Sequence, residues 1–192
     1  KDAQVQALLG KLDNLKDGDI LVLSGSIPGS MPDDIYEKIM EYVKSKNVLI
    51  VVDATNNLLM NCLKHHPFLI KPNNHELAEI FNVEIKNKED VVVYAKKLQT
   101  MGAKNVLVSM AGDGAVLVDQ NNDVHITSAP KGEVKNSVGA GDSMVAGFIY
   151  GYIKTNDFKT ALKQATATGS ATAFSEDLAS KEKIDELLKT IS

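Results

Sequence analysis

The chain contains no arginine: all 21 of its basic residues are lysines. Arginine is the usual bidentate clamp for phosphate and carboxylate. An anion handled here must therefore meet lysine, backbone N–H groups, metal or residues outside the chain. Cysteine occurs once, at Cys62, which rules out an internal disulfide and fits a reducing cytoplasm. Its neighbours Leu58, Leu59, Met60 and Leu63 mark it as a small core residue rather than a nucleophile. No apolar run reaches the ~20 residues of a membrane-spanning helix, so no membrane partner is expected. No signal-peptide pattern opens the chain. The formal net charge of −4 argues against a nucleic-acid surface. His65, His66, His75 and His125 neither cluster nor form H-x-x-x-H, which disfavours zinc. The phosphate loop G-x-x-x-x-G-K-S/T is missing, and with it the commonest class of phosphotransferase. The dinucleotide fingerprint is missing too: the run from Gly139 lacks the third glycine and comes late.

What remains is a globular composition, 44% hydrophobic and 24% charged over 192 residues, long enough for a sizeable core. Residues 1–15 carry Val5, Leu8, Leu9, Leu12 and Leu15 at helical spacing. They read as a helix rather than as a protein start, and the chain is expected to be a fragment. Short apolar runs at 19–24, 48–53, 68–71 and 105–109 have the pattern of buried parallel strands. Between them lie helical patterns: one opened by Pro32 with Ile35, Tyr36, Ile39, Met40 and Val43 on one face, then 57–64, 73–81 and 89–101. Residues 115–119 and 124–127 read as a hairpin, and helices follow at 142–154, 158–174 and 181–191. Gly147 and Gly151 suggest a helix packed closely on the sheet. Strands alternating with helices predict one α/β domain over 1–192, a mostly parallel sheet with helices on both faces. Ligands bind such sheets at the carboxyl ends of the strands. Polar clusters fall there, at 24–26, 53–57, 71–76 and 109–114.

The stretch that organises the chain is Asn136-Ser-Val-Gly-Ala-Gly-Asp-Ser143. Gly139 and Gly141 flank Ala140, Asp142 follows, and an apolar helical run begins at Met144. Free N–H groups and the helix dipole make such a start an anion site. Asp142 is then either a first-turn acid that steadies the helix or a general base beside a phosphoryl group. Three more stretches carry chemistry. Lys71-Pro-Asn-Asn-His-Glu76 puts Asn73 and Glu76 on one face of a first helical turn, as a capping box or as ligands for a hard cation. Ser109-Met-Ala-Gly-Asp-Gly114 is a strand turn. Ser24-Gly-Ser26 is another, with a hydroxyl at its tip. Asp53 takes no catalytic role on this reading and serves as a cap.

These motifs, in this order, resemble those of the PfkB (ribokinase-like) carbohydrate kinase family. G-A-G-D followed by S-M-V-A-G-F is similar to the family's second signature. Asn73 to Glu76 is similar to its N-x-x-E motif, 109–115 to its S-L-G-x-x-G-A loop, and 24–29 to its S-G-S-L-P-x-G stretch. The one departure in that loop is Ala111, where the family has glycine. The resemblance implies a ribokinase-like three-layer sandwich, of which the N-terminal part and its β lid are absent. It implies ATP and Mg2+ as cofactors. By it, Asp142 is the catalytic base, and Gly139, Ala140 and Gly141 form the anion hole. Lys71, Ser109, Gly112, Gly114 and Gly141 bind nucleotide, Ser26 contacts the sugar, and Asn73 and Glu76 hold magnesium through water. The implied reaction is ATP-dependent phosphorylation of a sugar phosphate, fructose 1-phosphate becoming fructose 1,6-bisphosphate, with tagatose 6-phosphate as the near alternative. A nucleotide-binding module without catalysis is the alternative of another class. The resemblance allows a homodimer for the full-length protein.

Overall fold

The computed structural model describes residues 2–29 and 31–191. Among them six strands form one sheet: β1 (Ile20–Ser24), β2 (Leu49–Asp53), β3 (Leu69–Ile70), β4 (Asn105–Ser109), β5 (Ala115–Val118) and β6 (Val124–Thr127). They lie side by side in chain order. The first four are parallel, and β5 and β6 run antiparallel. The reason is connection length. A helix joins each of the first pairs, whereas residues 110–114 between β4 and β5 are too few for a crossover.

Among the described residues eight helices flank the sheet: α1 (Asp2–Lys11), α2 (Ile35–Val43), α3 (Asn56–Cys62), α4 (Asn74–Phe81), α5 (Lys88–Thr100), α6 (Ala140–Thr155), α7 (Phe158–Ala173) and α8 (Lys181–Leu188). Strand residues alternate between two cores. Val52, Ile70, Val106 and Val108 pack with α1 to α5. Val51, Leu69 and Leu107 pack with Met144, Val145 and Phe148 of α6 and with Ala161, Leu162 and Ala165 of α7. The architecture is the three-layer α/β arrangement expected from the alternation of elements. The face of α2 that the sequence picks out, Ile35, Tyr36, Ile39, Met40 and Val43, is the buried one. Cys62 is fully buried. Its thiol is pushed up to about 12, first by burial and then by the charge of Glu37, so it is an inert core residue.

Two details differ from the sequence reading, and one falls where the structure cannot be compared. Lys1, which that reading puts in the first helix, lies outside the described residues. Pro32 does not open α2: its carbonyl accepts from Ile35 N–H at 3.1 Å in a turn that leads into the helix. Gly147 and Gly151 face α7, not the sheet. A Cβ on Gly147 would stand 2.6 Å from Thr168 Oγ1, and one on Gly151 would stand 2.9 Å from Ala161 Cα. The two helices approach this closely because Val145 and Phe148 use the other face of α6 for the sheet. At the far edge, β2 is the only partner of β1 among the described residues, and Val22 is 42% exposed.

Candidate active site

Because β1 to β4 are parallel, their carboxyl ends share one edge of the sheet. The register decides what meets there. β2 and β3 pair Val52 with Ile70, so Asp53 and Lys71 leave the sheet side by side. Lys71 is only 7% exposed, and a lysine is rarely that buried without a partner. Its Nζ lies 3.1 Å from Asp53 Oδ1. Burial pushes the Asp53 carboxyl above its usual range; the Lys71 ammonium opposes that shift and the nearby charge of Asp142 adds to it. Asp53 is therefore not the cap that the sequence suggests. The N-cap of α3 is Thr55, which makes no side-chain cap bond, and the Asp53 carboxylate goes to Lys71 instead.

Directly over this pair sits the start of α6. Gly139 is its N-cap at φ +76, a left-handed conformation that suits glycine. A Cβ on Gly141 would stand 3.2 Å from Lys71 Nζ, so the glycine lets the ammonium reach the first turn. The Ala140 N–H donates to Ser137 C=O at 3.2 Å. The N–H groups of Gly141 and Asp142 have no partner among the described residues, and those are the donors the turn presents. Asp142 is exposed, and its carboxylate makes no hydrogen bond among the described residues. It is thus not tied to its own helix turn.

Asn73 and Glu76 form the capping box of α4. Asn73 Oδ1 accepts from Glu76 N–H, and Glu76 Oε2 accepts from Asn73 N–H, both at 2.8 Å. Glu76 Oε1 has no partner among the described residues. No group of three or more His, Cys, Asp or Glu side chains is placed to hold a metal among those residues. One carboxylate oxygen beside an amide suits a hard cation that keeps most of its waters, so these residues fit magnesium held largely by water and phosphate.

The turn after β4 lies alongside. Ser109 N–H donates to Pro72 C=O at 3.2 Å, and Ser109 bridges to Asn73. Gly112 lines an open cleft of about 410 Å³ with Lys86, Lys88 and Ser128. Gly114 is at φ +92, where a Cβ would stand 2.2 Å from Thr127 O. Ala111 does adopt positive φ, at +46. Left-handed backbone costs a non-glycine residue about 1–2 kcal/mol, against an unfolded-state entropy loss of about 0.4–1 kcal/mol for glycine. Ala111→Gly is therefore expected to stabilise the fold by about 0.5 kcal/mol, raising Tm by about 1–2 °C in a calorimetric scan. A lowered Tm would mean that alanine carries no strain there.

Ser26 stands exposed beyond β1. Its turn is fixed by the Tyr36 hydroxyl, which donates to Ser24 C=O at 2.7 Å, and by Gly25 N–H, which donates to Asp53 C=O at 3.1 Å. Sequence reasoning named Asp53 only as a cap and Tyr36 only as a core residue, and did not foresee the ion pair of the one or the turn contact of the other. A signal for Asp53 was its place at the end of a buried strand. A larger cleft, about 570 Å³, lies between α1 and α2, and none of these residues lines it.

Residues 1–184 match the family described as pfkB family carbohydrate kinase. The chain belongs to that family. The pfkB chain is 46% identical over 190 residues to 1-phosphofructokinase of Bacillus subtilis, covering 99% of this chain and 62% of that protein. It is 36% identical over 191 residues to D-tagatose-1-phosphate kinase of Bacillus licheniformis, again covering 99% and 62%. Among solved structures it is similar to phosphofructokinase-2 from Escherichia coli in complex with fructose-6-phosphate, with TM-score 0.89 and 25% identity over 99% of this chain and 62% of that one. The fold is the ribokinase-like α/β sandwich. The chain thus spans about 62% of the length of the curated relatives it matches.

Proposed function

We propose that the full-length protein carrying this chain is an ATP-dependent sugar-phosphate kinase that converts fructose 1-phosphate to fructose 1,6-bisphosphate. The observation that carries this is the Lys71 ammonium buried against the first turn of α6, beside an exposed and unbonded Asp142. An anion at that turn would meet the amides of Gly141 and Asp142 and the ammonium together. Within this chain, backbone and lysine would supply the positive charge at that turn.

In this reading the sugar hydroxyl oxygen attacks the γ-phosphorus, and the P–O bond to ADP breaks. Asp142 accepts the hydroxyl proton and later releases it to solvent. Lys71 and the two amides face the equatorial oxygens, where charge is spread in the transition state. Asn73 and Glu76 would hold magnesium through water, and the ion supplies charge neutralisation between phosphates. Ser26, on its braced turn, faces the sugar side. Ser109, Gly112 and Gly114 shape the nucleotide side. ATP and sugar phosphates as substrates would support a cytoplasmic location.

The deciding experiment measures ADP release by the full-length protein with ATP and a panel of fructose 1-phosphate, fructose 6-phosphate, D-tagatose 1-phosphate and tagatose 6-phosphate. Fructose 1-phosphate is expected to show the highest kcat/KM. Preference for a tagatose phosphate would move the assignment to the second relative's chemistry. ATP binding without turnover on any sugar would make the protein a nucleotide-binding module.

Glu76→Gln tests the metal residues. Glutamine keeps the capping box, so stability should change by about 1 kcal/mol or less. The magnesium concentration for half-maximal rate should rise, because a charged oxygen is lost. An unchanged magnesium requirement with a lowered Tm would leave Glu76 as a helix cap and nothing more.

A further inference from the structure

Lys71 poses an electrostatic problem that its neighbours solve. Its ammonium lies against the N-terminal turn of α6, the positive end of a helix dipole, which disfavours a cation. Its flexible stem carries about 2 kcal/mol of rotamer entropy and would be free to carry the charge to water. The group that holds it is Asp53, through the 3.1 Å contact of Oδ1 with Nζ. Asp53 is itself well fixed. It ends β2 in register with β3, and its carbonyl accepts Gly25 N–H at 3.1 Å.

We propose that Asp53 is a positioning residue for phosphoryl transfer, holding the Lys71 ammonium under the first turn of α6 so that it is in place before a phosphate arrives. The proposal rests on the kinase reading above. A phosphoryl group between the amides and the ammonium gains from both. Without it the cation and the helix end repel each other, and the Asp53 charge offsets that repulsion. Asp53 therefore acts through Lys71 and not on the substrate.

A double-mutant cycle in the full-length protein tests this, with Asp53→Asn, Lys71→Met and the pair. Misplacing a positioned group can cost up to about 100-fold in rate. Asp53→Asn is expected to lower kcat by about 10- to 100-fold with the KM for fructose 1-phosphate unchanged. On the Lys71→Met background the same substitution should cost less than about twofold, since coupled residues are not additive. Asp53→Glu should recover part of the loss, because it restores the charge. Multiplying losses would show that Asp53 acts independently of Lys71 and would overturn the proposal, as would wild-type kcat in Asp53→Asn. Thermal melts accompany each variant. If Asp53→Asn does not fold, the cycle is run with Asp53→Glu, expected to give a smaller loss that again vanishes beside Lys71→Met. If the wild type turns over no sugar phosphate, the kinase reading fails by itself, and the cycle is then read on the Kd for ATP by calorimetry with the same two outcomes.

Discussion

Asp142→Asn, made in the full-length protein, is expected to lower kcat by about 10²–10⁴-fold, the usual worth of a general base. ATP affinity should stay within about threefold, since asparagine keeps the shape and the two amides of the turn remain. The expectation rests on what Asp142 does not do. It is not the N-cap of α6, which is Gly139, and its carboxylate bonds to nothing among the described residues. A side chain serving only the helix would face the dipole and contribute about 0.3–1 kcal/mol to stability, with no effect on turnover. Steady-state rates with calorimetric ATP titration separate the two roles. Near-normal kcat with a small drop in Tm would reduce Asp142 to a first-turn acid.

Gly114→Ala is expected to be the most damaging structural change in the site. The residue sits at φ +92 and ψ −132, a conformation left to glycine. A Cβ would stand 2.2 Å from Thr127 O and 2.8 Å from Ala129 N, both backbone atoms that no side-chain rotation can relieve. Backbone strain of about 1–3 kcal/mol and overpacking of about 1–3 kcal/mol together lower stability by about 3–5 kcal/mol. At about 2–4 °C per kcal/mol for a chain of this size, the melting midpoint falls by about 10 °C. The same change pulls Ser109 away from Asn73, so the KM for ATP should rise in molecules that stay folded. A midpoint within about 2 °C of wild type would show that the hairpin yields easily there. Ala111→Gly, three residues earlier, should shift Tm the opposite way.

Much of this protein is legible locally. The apolar runs at β1, β2 and β4 are strands, and the five positions picked for the face of α2 are the five that are buried. Asn73 and Glu76 at a three-residue spacing form the box that this spacing allows. Two glycines before an acid and an apolar run do open a helix at Ala140. Each of these depends on neighbours within a turn or two, where backbone geometry sets the contacts.

What the chain order could not supply is the meeting of distant residues. Asp53 and Lys71 pair because β2 and β3 are parallel with Val52 opposite Ile70. A register shift of one residue would send either side chain to the other face of the sheet. The Lys71 ammonium reaches α6 only because the segment from 128 to 139 carries that helix back over the carboxyl edge of the sheet, so that Gly141, without a Cβ, lies beside it. The packing of Gly147 on Thr168 rather than on a strand was likewise settled by which face Phe148 commits to the core. Spacing along the chain determined which residues stand in the first turns of α4 and α6. Register and helix packing determined that a lysine would sit among them already paired with an acid.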